Sequence, residues 1–490
     1  MTIKLAVLSV AKHTNRMTQA LKDHAGDKLE VVLHLGGENS HFKVSSIGRI
    51  KDKLGTEGHL MEDRAYSGAA RPLILSRDFY RNRDLVTDHF YRMSDSYNTK
   101  SHPLKTLNDY HDYYQVIADT LADELVDRGV THCLFFNVPH LAYDTMLYQV
   151  AKALDLQVVI LVQSLFPNLV FSMNDFNDIG NFADNPDAQP YGIEKGSKPD
   201  LFYMKGIKQE HEDGGRVTAK AMMNLASFLI RKRPAKALNP VYLWKTISHM
   251  QKVYGSLPKW RDPYARFFHE DSLAYFDYLA GYEDQDVDLS GDFVYFPLQL
   301  QPEMTTSTLG DRFCDQAYAI ERLSEILPAG VRLLVKENPK QGAYMRGPLF
   351  FHRLNRIPSV TLLPSWADTH ALTDGAKFVA SITGTVGWEA IRNGKPALVF
   401  GKAWYRNFPG VHEFSDDLTY EEIAHTKIDH EALEQAVGAL ISRGHPCVTD
   451  RNFIPLVDNY SEPKNDQFLA EVILGLLEKR LSPTWVPSAK

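Results

Sequence analysis

The chain has 490 residues, 44% of them hydrophobic and 23% charged, the balance of a soluble globular protein with two or three domains, each able to bury its own core. Its net charge of −7 excludes a general nucleic-acid binder, which would be basic. Cys133, Cys314 and Cys447 stand far apart with no C-x-x-C pair, so neither a disulfide framework nor a zinc knuckle is expected, and a reducing cytoplasm fits.

Ile3 to Val10 reads as a first strand rather than a signal peptide, its apolar part being too short. No run reaches the roughly 18 apolar residues of a membrane span. An amphipathic helix follows from Thr14 to His24, then a strand from Leu29 to Leu35 closed by Gly36-Gly37. This is a Rossmann-like opening without G-x-G-x-x-G, which gives a dinucleotide site no support. From about Arg64 to Tyr114 the pattern is helical and rich in arginine and tyrosine. Its stretch Arg77 to Asp84 reads as a solvated face laced with ion pairs or as a basic wall for an anionic acceptor.

Val130 to Phe136 is a buried strand, followed by a loop to Asp144, a helix to Leu154 and a strand from Gln157 to Val162. A β-α-β unit of this kind puts His140, Tyr143, Asp144, Gln163 and Ser164 at the carboxyl ends of its strands, where ligands bind open α/β sheets. Asp144 suits either the cap of the next helix or a catalytic carboxylate. Residues from about 171 to 215 read as an irregular excursion and 217 to 268 as helical, so an insertion spans about 171–275. Basic and aromatic residues interleave over about 231–268. That mixture suits a helix packed on its own domain with a solvated basic edge, or peripheral contact with the inner membrane. The acidic run Glu283 to Asp288, with Ser290-Gly291, marks the boundary between domains 1–285 and 286–490. It contains D-x-D spacings, but no apolar strand aims them, so it reads as linker.

The second half restarts the alternation. Strands are expected at Phe293–Leu298, Val331–Val335, Ser359–Leu363, Lys377–Ala380 and Pro396–Phe400. Helices are expected at Phe313–Leu327, Trp366–Leu372, Val386–Arg392, Glu431–Ser442 and Asn465–Lys479. Such a series builds a parallel sheet. The small-residue turn Ser381 to Thr385 would leave backbone N–H groups at a helix N-terminus, a natural phosphate site. Asn393-Gly394 ends that helix.

Three segments, each at a strand end, carry a resemblance: Pro297 to Glu303, Lys336-Glu337-Asn338-Pro339, and Ser381 to Gly401. In this order they resemble the donor-binding elements of two-domain GT-B nucleotide-sugar glycosyltransferases. More closely, they are similar to the bacterial capsule polysaccharide biosynthesis family that includes retaining Kdo transferases. The resemblance implies an α/β protein of two Rossmann-like domains facing a cleft, with a helical insertion in the first and a last helix that crosses back to it. The donor would lie on the second domain. Gln301, Lys336, Asn338, Pro339, Ser381, Thr383, Gly384 and Thr385 would hold it, and Glu389 its ribose. Asn338 stands where the family's Lys-x-His-Pro element has histidine; it can hydrogen-bond but cannot carry charge. His140, Tyr143, Lys402 and Tyr405 would face the acceptor, a glycan or glycolipid, and Asp144 and Glu303 are the candidate catalytic carboxylates. No metal and no cofactor is expected, the nucleotide-sugar being the donor substrate, CMP-Kdo by resemblance. The setting would be the cytoplasm or the cytoplasmic face of the inner membrane. Rival readings are a nucleotide-sugar epimerase of the same shape, a teichoic-acid-type glycerophosphate transferase, and an accessory protein of capsule assembly or export.

Overall fold

A computed structural model describes residues 2–36, 40–43, 65–98, 106–194, 285–301, 303–339 and 346–488, with a few isolated positions besides. Two six-stranded sheets organise them. The first holds β1 (Ile3–Ser9), β2 (Leu29–Gly36), β3 (Phe42–Lys43), β4 (His132–Phe135), β5 (Gln157–Gln163) and β6 (Val170–Met173), in the order β3-β2-β1-β4-β5-β6. Only β6 runs antiparallel. The second holds β7 (Phe293–Pro297), β8 (Arg332–Lys336), β9 (Val360–Leu363), β10 (Val379–Ser381), β11 (Ala397–Val399) and β12 (Val411–Glu413). Its order, β12-β11-β10-β7-β8-β9, is parallel throughout. Counted from its own first strand, each sheet has the doubly wound order 3-2-1-4-5-6. Its direction of winding reverses between β1 and β4, and again between β7 and β10. β7, β8, β10 and β11 are near-continuous apolar runs because helices cover both faces.

The helices pack on these sheets: α1 (Lys12–Ala25), α2 (Phe79–Asn98), α3 (Leu107–Asp127) and α4 (Tyr143–Ala153) on the first; α5 (Gln316–Ile326), α6 (Pro348–Asn355), α7 (Thr369–Gly375), α8 (Thr385–Arg392) and α9 (His430–Ser442) on the second. Caps decide where several of them start. The Asp368 carboxylate accepts the His370 and Ala371 N–H groups, so the helix expected from Trp366 begins at Thr369. Asp315 likewise accepts the Tyr318 N–H and starts α5 at Gln316, leaving Phe313 in a short 3-10 turn.

Among the described residues the chain crosses between domains twice. Val170–Met173, expected inside an irregular excursion, is instead strand β6: all four side chains are buried and it pairs with β5. Beyond it the chain lies on the second domain, where Asn407 Nδ2 donates to Gly180 O at 2.9 Å and the Ile193 N–H to Glu434 Oε1 at 2.8 Å. The return comes at His445, which bridges to Val170. Then α10 (Glu462–Leu477) packs on α1, Arg16 pairing with Asp466 and Glu462. Leu469 and Ile473 share a core with Leu5, Val7, Met17 and Leu21. Residues after about 445 thus pack on the first domain, the last helix crossing back to it within the stretch 286–490 assigned to the second. Asp288 of the linker pairs with Arg332 at 3.2 Å, which ties the linker to β8. Within the insertion, helix is described at Pro234–Ala237 and at neighbouring positions up to 248; the helical pattern expected beyond 248 lies outside the described residues. Among the described residues no helix is long and apolar enough to cross a membrane.

Candidate functional site

Val379 pairs with Tyr295, which brings the carboxyl ends of β10 and β7 to one edge, the point where the winding reverses. Gln299 stands just beyond β7. Its side-chain Oε1 accepts the Thr383 N–H at 2.8 Å and the Ser381 hydroxyl at 3.2 Å. Ser381 Oγ in turn accepts the N–H of Gly384, the N-cap of α8, at 2.8 Å. The Thr383 and Gly384 amides, expected bare for a phosphate, therefore each carry a side-chain partner. The cause is burial: Ser381 is fully enclosed, and a buried N–H with no acceptor costs about 1–3 kcal/mol. Thr383 Oγ1 donates to Thr305 O at 2.7 Å, so the turn is also fastened to the loop after β7.

That loop is itself held from behind. The Gln299 N–H donates to Gln316 Oε1 at 2.8 Å, and Gln299 O accepts from Gln316 Nε2 at 3.0 Å and from Arg346 Nη2 at 2.7 Å. Arg346 is wholly enclosed, 3.3 Å from the buried Glu337 carboxylate and 5.3 Å from the Phe350 ring centroid. Neither Arg346 nor Gln299 stands among the site residues read from the sequence. A glutamate next to a buried strand end was the available signal, since such a group is buried only when paired. Lys336 ends β8, buried, with Nζ 2.8 Å from Thr369 Oγ1. Asn338 donates its backbone N–H to Glu337 Oε1, and Pro339 continues that turn.

A cavity of about 160 Å³ opens beside this turn, between the domains. Thr305, Thr383, Thr385, Lys402 and Trp404 line its second-domain side. Gln163, Ser164, Phe166 and Phe171 line the first-domain side, and Trp485 arrives on the returning tail. The indole N–H groups of Trp404 and Trp485 are buried with no acceptor among the described residues. Burial and the neighbouring Arg406 guanidinium push the Lys402 ammonium below its ordinary range, against Glu413 and Asp311, which pull it up.

Residues 280–439, which carry the whole second sheet, match the family of capsule polysaccharide biosynthesis proteins. No curated protein matches the chain. Solved structures similar to it include the β-Kdo 2,7-transferase of Thermosulfurimonas dismutans KpsC, 11% identical, covering 76% of this chain and 91% of its own with a TM-score of 0.31. The β-Kdo 2,4-transferase of the same KpsC is 14% identical and covers 63% and 79%, with a TM-score of 0.27. UDP-bound MnaA of S. aureus is 12% identical and covers 98% and 97%, with a TM-score of 0.23.

Within the matched segment several expected ligand contacts have become structural. Gln301 is buried, its Nε2 donating to Cys314 O at 2.6 Å and its Oε1 accepting from Gln316 at 3.1 Å; it braces the loop instead of facing a donor. Tyr405 is fully enclosed and its hydroxyl donates to Gly384 O, so it pins the turn from below rather than facing an acceptor. Gly387 makes this possible: a Cβ there would sit 2.3 Å from the Tyr405 hydroxyl. Glu389 is buried, and that burial pushes its carboxyl up to about 7, the Arg392 guanidinium opposing it. Glu303 accepts the Thr305 N–H at 3.1 Å and the Thr305 hydroxyl, capping the turn Met304–Thr308.

In the first domain Asp144 is not the N-cap of α4, which is Ala142 with no side-chain bond; it sits one residue inside the first turn. Its Oδ1 accepts the Leu141 and Thr145 N–H groups, each at 2.6 Å, and so closes a turn in which Ala142 takes a φ of 67°. Tyr143 does not face the cleft. The phase of α4 turns it into the core, where its hydroxyl meets that of Tyr113 and its ring packs on Phe90. His140 stays at the interdomain edge, Nδ1 2.6 Å from Val138 O, in a loop whose Pro139 O accepts from Thr308 Oγ1 at 2.9 Å. From the arginine-rich helix, Arg81 reaches across to Asp311 of the second domain.

Proposed function

We propose that this chain is a glycosyltransferase of surface-glycan synthesis, moving a sugar from a nucleotide-activated donor to a polysaccharide or lipid-linked glycan acceptor. The match of residues 280–439 to the capsule family carries the reading, because that segment contains the reversal point with its capped turn and one wall of the interdomain cavity. The donor phosphate takes the place of the Gln299 side chain at the Thr383 amide. There the N-terminus of α8 and the Lys336 ammonium stabilise the leaving charge electrostatically. Glu389, inside the same helix, is assigned to the ribose. Glu303, next to Thr305 on the cavity wall, is the base that remains once Asp144 is committed to its turn. Resemblance names CMP-Kdo as donor, with Asn338 offering an amide in place of the family's histidine.

Calorimetry with CMP, UDP and GDP tests the reading, followed by turnover with and without glycan acceptor. A transferase binds one of the three and releases free nucleotide only when acceptor is present. Conversion of a UDP-sugar without acceptor would make it an epimerase, and binding of none would leave an accessory role.

A further inference from the structure

Residues 214–261 contain ten lysines and arginines and no aspartate or glutamate, in a chain whose net charge is −7. The described part of this stretch is helical at Pro234–Ala237 and 240–245. Large apolar side chains stand in water there: Ile230, Leu238, Val241 and Trp244 are 69%, 85%, 60% and 68% exposed. Arg231, Lys236 and Lys245 are exposed beside them. Val241 and Trp244, three apart, share one face of their turn. This exposure does not fit a helix packed on its own domain. An apolar group rimmed by charges of one sign marks a docking surface.

The chemistry of the surface selects the partner. A nucleic acid would engage the cations and leave the leucine, valine and isoleucine in water. An anionic bilayer takes both at once, cations at the headgroups and apolar side chains in the acyl boundary. We infer that the helical stretch around 230–245, within this basic run, rests on the surface of a membrane carrying anionic lipid. This is independent of which reaction the interdomain cleft performs.

The test is co-sedimentation of the full chain with vesicles of phosphatidylglycerol mixed into phosphatidylcholine, against phosphatidylcholine alone, at low and high salt. Binding is expected to the anionic vesicles, to fall with salt and to be slight on neutral ones. Reversing three charges (Arg231→Glu, Lys236→Glu, Lys245→Glu) should weaken it by roughly a hundredfold or more. The pair Val241→Ser and Trp244→Ser should weaken it with every charge kept, and the melting temperature should hold in both variants because the side chains are exposed. Equal binding to neutral vesicles, no binding to anionic ones, or loss only in the charge variant together with tight binding of RNA would overturn the inference.

Discussion

Gln299 Oε1 lies 2.8 Å from the Thr383 amide nitrogen, across 84 residues of sequence and at the one place where the second sheet reverses its winding. A side-chain carbonyl thus sits where a ligand oxygen would sit, and the same group holds the Ser381 hydroxyl. The turn is complete without ligand, so a phosphate bound there, as proposed, would exchange one acceptor for another.

That exchange has a sign. Gln299→Ala removes the acceptor and leaves the buried Thr383 N–H unpaired, which should cost about 1–3 kcal/mol of stability. A phosphate restores the bond, so the preferred nucleotide should bind the variant more tightly than the parent and raise its melting temperature by more. Calorimetry and thermal melting, with and without nucleotide, read both effects. A fall in affinity would mean that Gln299 itself grips the nucleotide.

Behind Gln299 the Glu337–Arg346 pair is enclosed on both sides. Removing one partner strands a buried charge. Arg346→Met or Glu337→Gln alone should therefore cost about 3–5 kcal/mol, and the double change should cost less than either single loss. Urea unfolding of the four proteins measures this. Additive losses would show that the two groups do not act as a pair.

Glu389 predicts a pH dependence. Its folded carboxyl titrates near 7, above the ordinary 4.5, so the folded state binds that proton more tightly than the unfolded one. The resulting stability is fully present below about pH 4.5 and is lost as pH rises through 7, a swing on the order of 3 kcal/mol. Glu389→Gln should flatten the unfolding free energy between pH 5 and 8 and leave the variant the more stable protein at pH 8. Parallel curves for parent and variant would place the group elsewhere in the titration.

The sequence carried the fold well because near-continuous apolar runs at β7, β8, β10 and β11 are what a sheet covered on both faces requires. It carried the position of the turn at the reversal point for a similar reason: small residues follow β10 directly and lead into a helix. What it did not carry is long-range partnership. Nothing local pairs Gln299 with Thr383 or Glu337 with Arg346. The phase of α4, which buries Tyr143 against Phe90, depends on which helices cover it. Asp144 looks catalytic in a sequence for the same reason it closes a turn: a short-range carboxylate at a loop–helix junction finds backbone N–H groups first. Trp485 lies in a tail whose route back to β6 only tertiary packing discloses.

That tryptophan gives the sharpest test of the cavity. Its ring packs on Phe171 with centroids 4.8 Å apart, while its indole N–H is buried without an acceptor among the described residues. Trp485→Phe keeps most of the ring and deletes the donor. An unsatisfied buried donor destabilises the ligand-free protein, so this variant should hold or gain stability, by up to about 1–3 kcal/mol. Trp485→Ala empties the site instead and should cost about 3–5 kcal/mol. If the donor is reserved for an oxygen of a bound sugar, Trp485→Phe should also lower turnover or raise the acceptor KM at unchanged nucleotide affinity. A stabler variant with undiminished turnover would make the indole N–H a simple packing defect and move the sugar out of this cavity.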